Sequence, residues 1–298
     1  MSTTTEAPLL GTVRESPAGG LLARLPVPTW IFLAWLVGMT LVPFAIILGM
    51  SFLSKGPGGG WAWEPTLANY ARVFQWTYVK VLGKTLWLAA TATVSCLLVG
   101  FPVAYYLARS RGTRRHVGLV LLFVPFWTNF ILRVYGIVSL LGMNGLLNQC
   151  LLRLGLIDTP LQLLYTRAGV YLGLVYNYLP FLVVPIFSAL EKLDPSLREA
   201  AQDLGASRPL TFWRVTLPNI REGVVVGGLF VFIPMLGEYV IPDLLGGAKE
   251  TFLGNVMVSQ FFVVQDWPFG SAIAGLLALC LLGTLLLQAL LRTRRGMA

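Results

Sequence analysis

The sequence predicts an all-α integral membrane protein built on six transmembrane helices. Three observations carry that reading: a scarcity of charge, six apolar runs of spanning length, and an uneven division of Lys and Arg between the loops. Of 298 residues, 56% are hydrophobic and 12% are charged. A soluble domain needs roughly 25% charged residues to cover its surface, so half that supply fits a chain whose outer face meets lipid. The net charge of +9 is spread over many loops rather than gathered in one patch, so no nucleic-acid partner is expected. Cys96, Cys150 and Cys280 form neither a CxxC pair nor a metal-ligand spacing.

Residues 1–25 are rich in Thr, Pro, Gly and Ala without periodicity, which predicts a disordered cytoplasmic tail ahead of a transmembrane domain over 26–298. A bilayer core about 30 Å thick requires roughly 20 apolar residues in a helix. Segments near 28–53, 83–108, 118–141, 168–190, 221–244 and 269–292 meet that length. The first is too long for a signal-peptide core and is read as a retained helix. With the N-terminus inside, fourteen of the 22 basic residues fall on the cytoplasmic side, seven fall outside, and Arg133 lies within a span. The bias places both termini in the cytoplasm. Trp30, Trp61, Trp63, Trp76, Tyr78, Trp127 and Trp267 are expected to anchor the span ends. Pro43, Pro102, Pro125, Pro180, Pro185 and Pro234, with the pair Gly227 and Gly228, suggest broken helices along a path.

The connection between the fourth and fifth spans, 191–220, is too patterned for a simple linker. Asp194 before Pro195 marks a helix start. Leu197, Ala200, Ala201 and Leu204 then recur at i, i+3, i+4 and i+7 to give one apolar face. Gly205 marks the stop. Ser207 is placed to cap a second short helix through Thr216, which Pro218 is expected to end. The product is a helix–Gly–helix unit on the cytoplasmic membrane surface.

Glu199-Ala200-Ala201, Gly205 four positions after Ala201, Val215, and Leu217-Pro218 together resemble the EAA motif of ABC importer permeases, with Val215 where the motif usually has Ile. The resemblance extends to nearly all of the chain after residue 65. Asn69 to Phe74, Asn129 to Tyr135, Leu236 to Gly247 and Asp266 to Gly270 are similar to the spermidine and putrescine branch of these permeases. It implies the type I importer permease fold in the cell inner membrane, importing small solutes and most specifically polyamines. It also implies that 191–220 is the coupling loop, meeting an ATP-binding cassette subunit through Glu199, Ala200, Ala201, Gly205, Leu217 and Pro218. The further partners implied are a second, homologous permease and an extracytoplasmic solute-binding protein. ATP and Mg belong to the ATPase subunit in this scheme, and no cofactor or metal is expected on this chain.

No ATPase site is expected here, because the only Gly-Lys-Thr run, Gly83 to Thr85, has Tyr78 where a phosphate-binding loop needs its first Gly. The lone His116 has no catalytic context, so no enzyme is predicted. Two charges fall inside spans. On straight helices Arg133 and Glu238 both stand about 22–24 Å from the inner face. They pair with each other or with backbone to fix helix packing, or Glu238 faces the translocation path and meets an ammonium group, and the two readings can coexist. In the second reading Tyr239, Tyr176 and Asn177 assist Glu238 as a low-affinity cation waypoint. Asp243, at the outer end of the same span, reads first as a helix-end or solvated group. Rival readings are an anion importer with Arg133 as the cargo's partner, and an ion-coupled secondary transporter, for which no internal repeat is visible.

Overall fold

The computed structural model describes residues 26–247 and 250–296, with side chains to residue 283. The expected tail, 1–25, lies outside the described residues. The chain separates into two units, before and after residue 50. The first holds helix α1, Val27–Ser51, except its last two residues. Trp30, Ile31, Phe32, Leu36 and Val37 are exposed and point all around it, as a lipid-facing helix requires. Thr40 satisfies its hydroxyl by donating to the Leu36 carbonyl.

The second unit opens with a short antiparallel hairpin, β1 (Leu53–Lys55) and β2 (Trp61–Pro65), and helix α2 (Ala68–Val73). The long helices follow: α3 (Trp76–Arg109), α4 (Thr113–Phe123), α5 (Phe130–Leu141), α6 (Leu146–Arg153) and α7 (Arg167–Glu191). Helix α8 (Ser196–Asp203) leads to α9 (Arg208–Thr211), a π turn at Phe212–Thr216, and α10 (Leu217–Gly237). Helices α11 (Val240–Gly246), α12 (Leu253–Val258) with a π turn at Ser259–Val263, and α13 (Trp267–Gly296) complete the chain.

The core is a packing of α3, α7 and α10. Helix α3 turns a seam of small residues inward, with Ala89, Ala92, Cys96, Gly100 and Ala104 buried at helical spacing. Lipid gives apolar side chains little reason to leave it, so association rests on close backbone approach, which small residues allow. A Cβ at Gly100 would come within 2.8 Å of Leu182 on α7. The pairing of α10 with α7 is closer still. A Cβ at Gly223 would meet Ala189 Cβ at 2.4 Å, and one at Gly227 the Leu182 carbonyl at 3.1 Å. Gly227 and Gly228 therefore mark helix contact rather than a break, since α10 runs unbroken through both.

Among the described residues five helical stretches are long and apolar enough to cross a membrane: Val27–Ser51, Trp76–Arg109, Phe130–Arg153, Arg167–Glu191 and Arg208–Gly237. The expected sixth span falls on α13. Two expected spans are not single helices. The third, 118–141, breaks between α4 and α5, where Pro125 enters a 3₁₀ turn, Val124–Trp127, and Thr128 is extended. Asn129 restarts the helix by accepting the Ile131 N–H at 2.8 Å, a cap worth about 1 kcal/mol. The fifth, 221–244, ends at Gly237, because Glu238 and Tyr239 leave helical geometry before α11 begins. Of the six prolines expected to interrupt spans, only Pro125 sits at a break; the others are carried inside α1, α3, α7 and α10.

The hairpin is fastened to the start of α13. Gly60 N–H donates to the Gln265 carbonyl at 2.7 Å, and Trp61 meets Trp267 with ring centroids 5.5 Å apart. Arg72 on α2 pairs with the buried Asp266 at 2.8 Å while its guanidinium lies 3.8 Å from the Phe269 ring centroid. The asparagine Asn69 donates to the carbonyls of both Ser51 and Leu53. Two distant sequence signatures, Asn69 to Phe74 and Asp266 to Gly270, are thus one clamp.

Candidate functional site

Helix α8 is set by its ends. Asp194 accepts the Ser196 N–H at 2.9 Å, and this bond holds the fully exposed Asp194 carboxyl below its ordinary range. At the other end Gly205 takes φ +85°, while Ala206 N–H donates to Ala201 and Gly205 N–H to Gln202. That is a Schellman closure, which needs a residue free to be left-handed. Between them Leu197 and Leu204 are 45% and 89% exposed, and Ala200 is exposed as well. The expected apolar face exists and is not covered by this chain's described residues.

The second half differs from expectation. Ser207 stands at the helix start with extended backbone but makes no side-chain cap bond. Pro218 does not end the helix, because Arg208 to Gly237 is continuous. Proline lacks an N–H and crowds the carbonyl four residues earlier. The π turn resolves this by inserting one residue just before it: Leu217 N–H reaches back to the Phe212 carbonyl, and Asn219 Nδ2 supplies the Val215 carbonyl at 2.7 Å. Leu217 and Pro218 are therefore the junction at which α9 and the π turn pass into α10 without a break.

The second candidate site lies where the two broken spans meet α7. Arg133, on α5, donates Nε–H to Asn177 Oδ1 at 2.7 Å and Nη1–H to the Pro125 carbonyl at 3.4 Å. Its guanidinium stands 4.2 Å from the Phe126 centroid and 5.7 Å from that of Phe130. Asn177 is buried and held in turn by the Gly173 carbonyl. Glu238 fills the gap between α10 and α11. One carboxylate oxygen accepts the Val240 N–H at 2.9 Å and the Ile241 N–H at 3.4 Å; the other accepts the Tyr178 hydroxyl at 2.7 Å.

Arg133 and Glu238 form no ion pair among the described residues. Each charge instead finds backbone and other partners, the other form of the packing reading: Arg133 has the Pro125 carbonyl, an amide and aromatic faces, Glu238 a helix start and a phenol. The break between α4 and α5 removes the straight-helix depth for Arg133, whereas α10 runs unbroken to Gly237 and leaves the count to Glu238 standing. Both charges hang on adjacent positions of α7, Asn177 and Tyr178. Tyr176 is 43% exposed and stacks on Phe126 at 6.2 Å, which joins it to the Arg133 group rather than to Glu238. Tyr239 is exposed, and its carbonyl accepts Asn255 Nδ2 at 3.3 Å. Sequence reasoning missed Tyr178 and Phe126. The run Tyr176-Asn177-Tyr178 carried the signal for the first, but only the bend at Glu238 shows which tyrosine it meets.

Comparison with known proteins bears on this architecture. Residues 97–296 match the family described as binding-protein-dependent transport system inner membrane component. The chain belongs to that family. It is a multi-pass inner-membrane permease component of an importer that works with a substrate-binding protein. Among its relatives is the spermidine/putrescine transport system permease protein PotB of Salmonella typhimurium, 45% identical over 80% of this chain and 83% of that protein. PotB of Escherichia coli is 44% identical over 80% and 86%. A sulfate transport system permease protein of Synechocystis is 31% identical over 66% and 70%. In fold the permease is similar to a bacterial ABC transporter involved in import of the acidic polysaccharide alginate, with TM-score 0.65 and 20% identity over 92% of this chain and 96% of that one.

Proposed function

We propose that this permease carries polyamines, putrescine or spermidine, inward across the cell membrane in an ATP-driven cycle. The binding protein delivers the amine to the outer face. ATP and Mg are bound by separate ATP-binding cassette subunits, and a second homologous permease completes the pathway. Both termini lie in the cytoplasm, so α8 faces the ATPase. The observation that carries the cargo is the identity of 44–45% to permeases named for spermidine and putrescine over four fifths of the chain.

The geometry supports a role for Glu238 as the cation's partner. Its carboxylate sits at a helix break, half-buried, and its bonds are to backbone N–H groups and one phenol rather than to a cation. An arriving ammonium can replace the Tyr178 hydroxyl on Oε2 while Oε1 keeps the helix start. Both donors make a charge-assisted bond to the carboxylate, and the ammonium adds a Coulombic attraction that the uncharged phenol lacks. Tyr178 and Tyr239 offer ring faces to the alkyl chain. The coupling half rests on the uncovered Leu197 and Leu204 face beside Glu199, which suits a helix seated in a groove of the ATPase.

The decisive experiment is labelled putrescine uptake into vesicles holding the full transporter, wild type against Glu238→Gln. Uptake is expected to fall at least about tenfold, the effect of removing one charge-assisted contact. Unchanged uptake in an assembled variant removes Glu238 from the path. The anion reading draws on Arg133, which has no carboxylate partner among the described residues, and on the sulfate permease relative. Binding of labelled putrescine and sulfate to the cognate binding protein separates the two cargoes.

A further inference from the structure

Three open clefts adjoin at the end of the bundle that carries α8, and Arg109, the last residue of α3, lines all of them. The largest, about 630 Å³, adds Arg111, Arg115 and Arg198. A neighbour of about 360 Å³ adds Arg198 and Arg208, and the third, about 530 Å³, adds Arg111 and Arg114. Two carboxylates line these clefts, and one of them, Glu191, is bound by Arg115. Glu199 therefore stands against five arginines. The charges of Arg198 and Arg208 repel that of Arg109, whose guanidinium is stacked on Tyr105 at 4.4 Å and makes no hydrogen bond or ion pair among the described residues. The side chains of Arg198 and Arg208 make no hydrogen bond or ion pair among the described residues. A set of planar donors with one acid among them is built for an anion, and guanidinium forks match phosphate oxygens in pairs.

The surroundings name the kind of phosphate. The clefts lie at the ends of α3 and α7, where spans give way to water and headgroups gather. Helix α4 rises from the rim with Arg114 in the cleft lining and Val117, Val120 and Leu121 exposed above it. Basic residues beneath an outward apolar stripe suit a headgroup with its acyl chains attached.

We propose that the arginine cleft between the end of α3, α4 and the coupling segment binds the phosphodiester of an anionic phospholipid of the cytoplasmic leaflet. This rests on the orientation proposed above. Because Arg198 belongs to α8 and Arg208 to α9, a bound headgroup ties the coupling segment to α3, so lipid charge sets how firmly that segment is held.

The test uses the full-length chain without ATPase subunits, in nanodiscs of phosphatidylcholine with or without phosphatidylglycerol, and native mass spectrometry to count retained lipid. Wild type is expected to retain phosphatidylglycerol selectively. Arg198→Gln with Arg208→Gln should weaken retention about tenfold or more, while the double Lys variant keeps most of it and controls for folding. Arg153→Gln, away from the cleft, should change nothing. Equal retention of the two lipids, full retention by the double Gln variant, or displacement of lipid by millimolar inorganic phosphate overturns the headgroup site. With no ATPase present, such a failure leaves the coupling reading intact. That reading fails separately, if the loop variants described below leave transport ATPase activity unchanged.

Discussion

Asp266 shows how one buried carboxylate can organise several elements. It accepts Arg72 from α2, takes the Phe269 N–H at 3.2 Å at the start of α13, and lies almost wholly inside the protein. Removing one partner of such a pair leaves the other charge against Phe269 without a counter-ion. Because Arg72 stays more than a third exposed to solvent, Asp266→Ala is expected to destabilise the folded permease by about 1–3 kcal/mol, less than for a fully buried pair. Thermal unfolding in detergent checks this. A shift no larger than that of an exposed control such as Asp158→Ala would show that the clamp carries little. At Glu238 the expectation is different in kind. Gln keeps an oxygen for the Val240 N–H, so folding should hold while polyamine uptake falls. A Tyr178→Phe variant removes the competing phenol and should leave uptake closer to wild type than Glu238→Gln does.

At the scale of elements, the α8 segment is short, exposed and held by its ends. Gly205 at φ +85° tolerates no Cβ without strain, and Leu204 beside it is the most exposed of the apolar-face residues. Gly205→Asp and Leu204→Glu are each expected to cut substrate-stimulated ATPase activity of the assembled transporter by tenfold or more, on the order of one lost anchor, with the spans still folded. Circular dichroism and ATPase assay together separate the two effects. The Asp194 cap adds a pH dependence. Its carboxyl is held below the ordinary value by the Ser196 N–H bond, so the cap contributes above the unfolded carboxylate range and is lost as pH falls through the folded one. Protection of the α8 amides relative to their intrinsic exchange rates should fall on acidification, and Asp194→Asn should remove that change.

For the molecule as a whole, the meeting of α7 with α10 decides stability, because these two helices approach through Gly223 and Gly227 instead of through side chains. Gly223→Leu would drive a side chain into Ala189 and the Pro185 carbonyl. It is expected to cost several kcal/mol or to separate the pair, well above the roughly 1–3 kcal/mol of ordinary overpacking. Gly136 on α5, with nothing within 4 Å of its Cβ position, is the matched control. Loss of folded protein at residue 223 and not at 136, read by size-exclusion recovery, is the expected pattern.

The apolar runs were legible in the sequence because the bilayer imposes a length of some twenty residues on any helix that crosses it. The helix–Gly–helix segment was legible too, since Asp194, Gly205 and the Leu197 to Leu204 spacing are local signals that act within a turn or two. What the sequence could not decide was where a span stops being a helix. The polar residues of Trp127 to Asn129 and Gly237 to Tyr239 are too few to interrupt an apolar run of spanning length, yet both stretches break, because caps from Asn129 and Glu238 can replace the lost backbone bonds. Pro218 misled in the opposite direction, as a π turn absorbed it. The partners of Arg133 and Glu238 were equally out of reach. Each charge lies far along the chain from Asn177 and Tyr178, and only the packing of broken spans against α7 brings them together. Composition and local pattern determined that the chain crosses a membrane and presents a helix–Gly–helix segment between two spans. Tertiary structure alone decided which buried charges meet which groups, because desolvation makes every such group find a partner and the partner is fixed by helix packing.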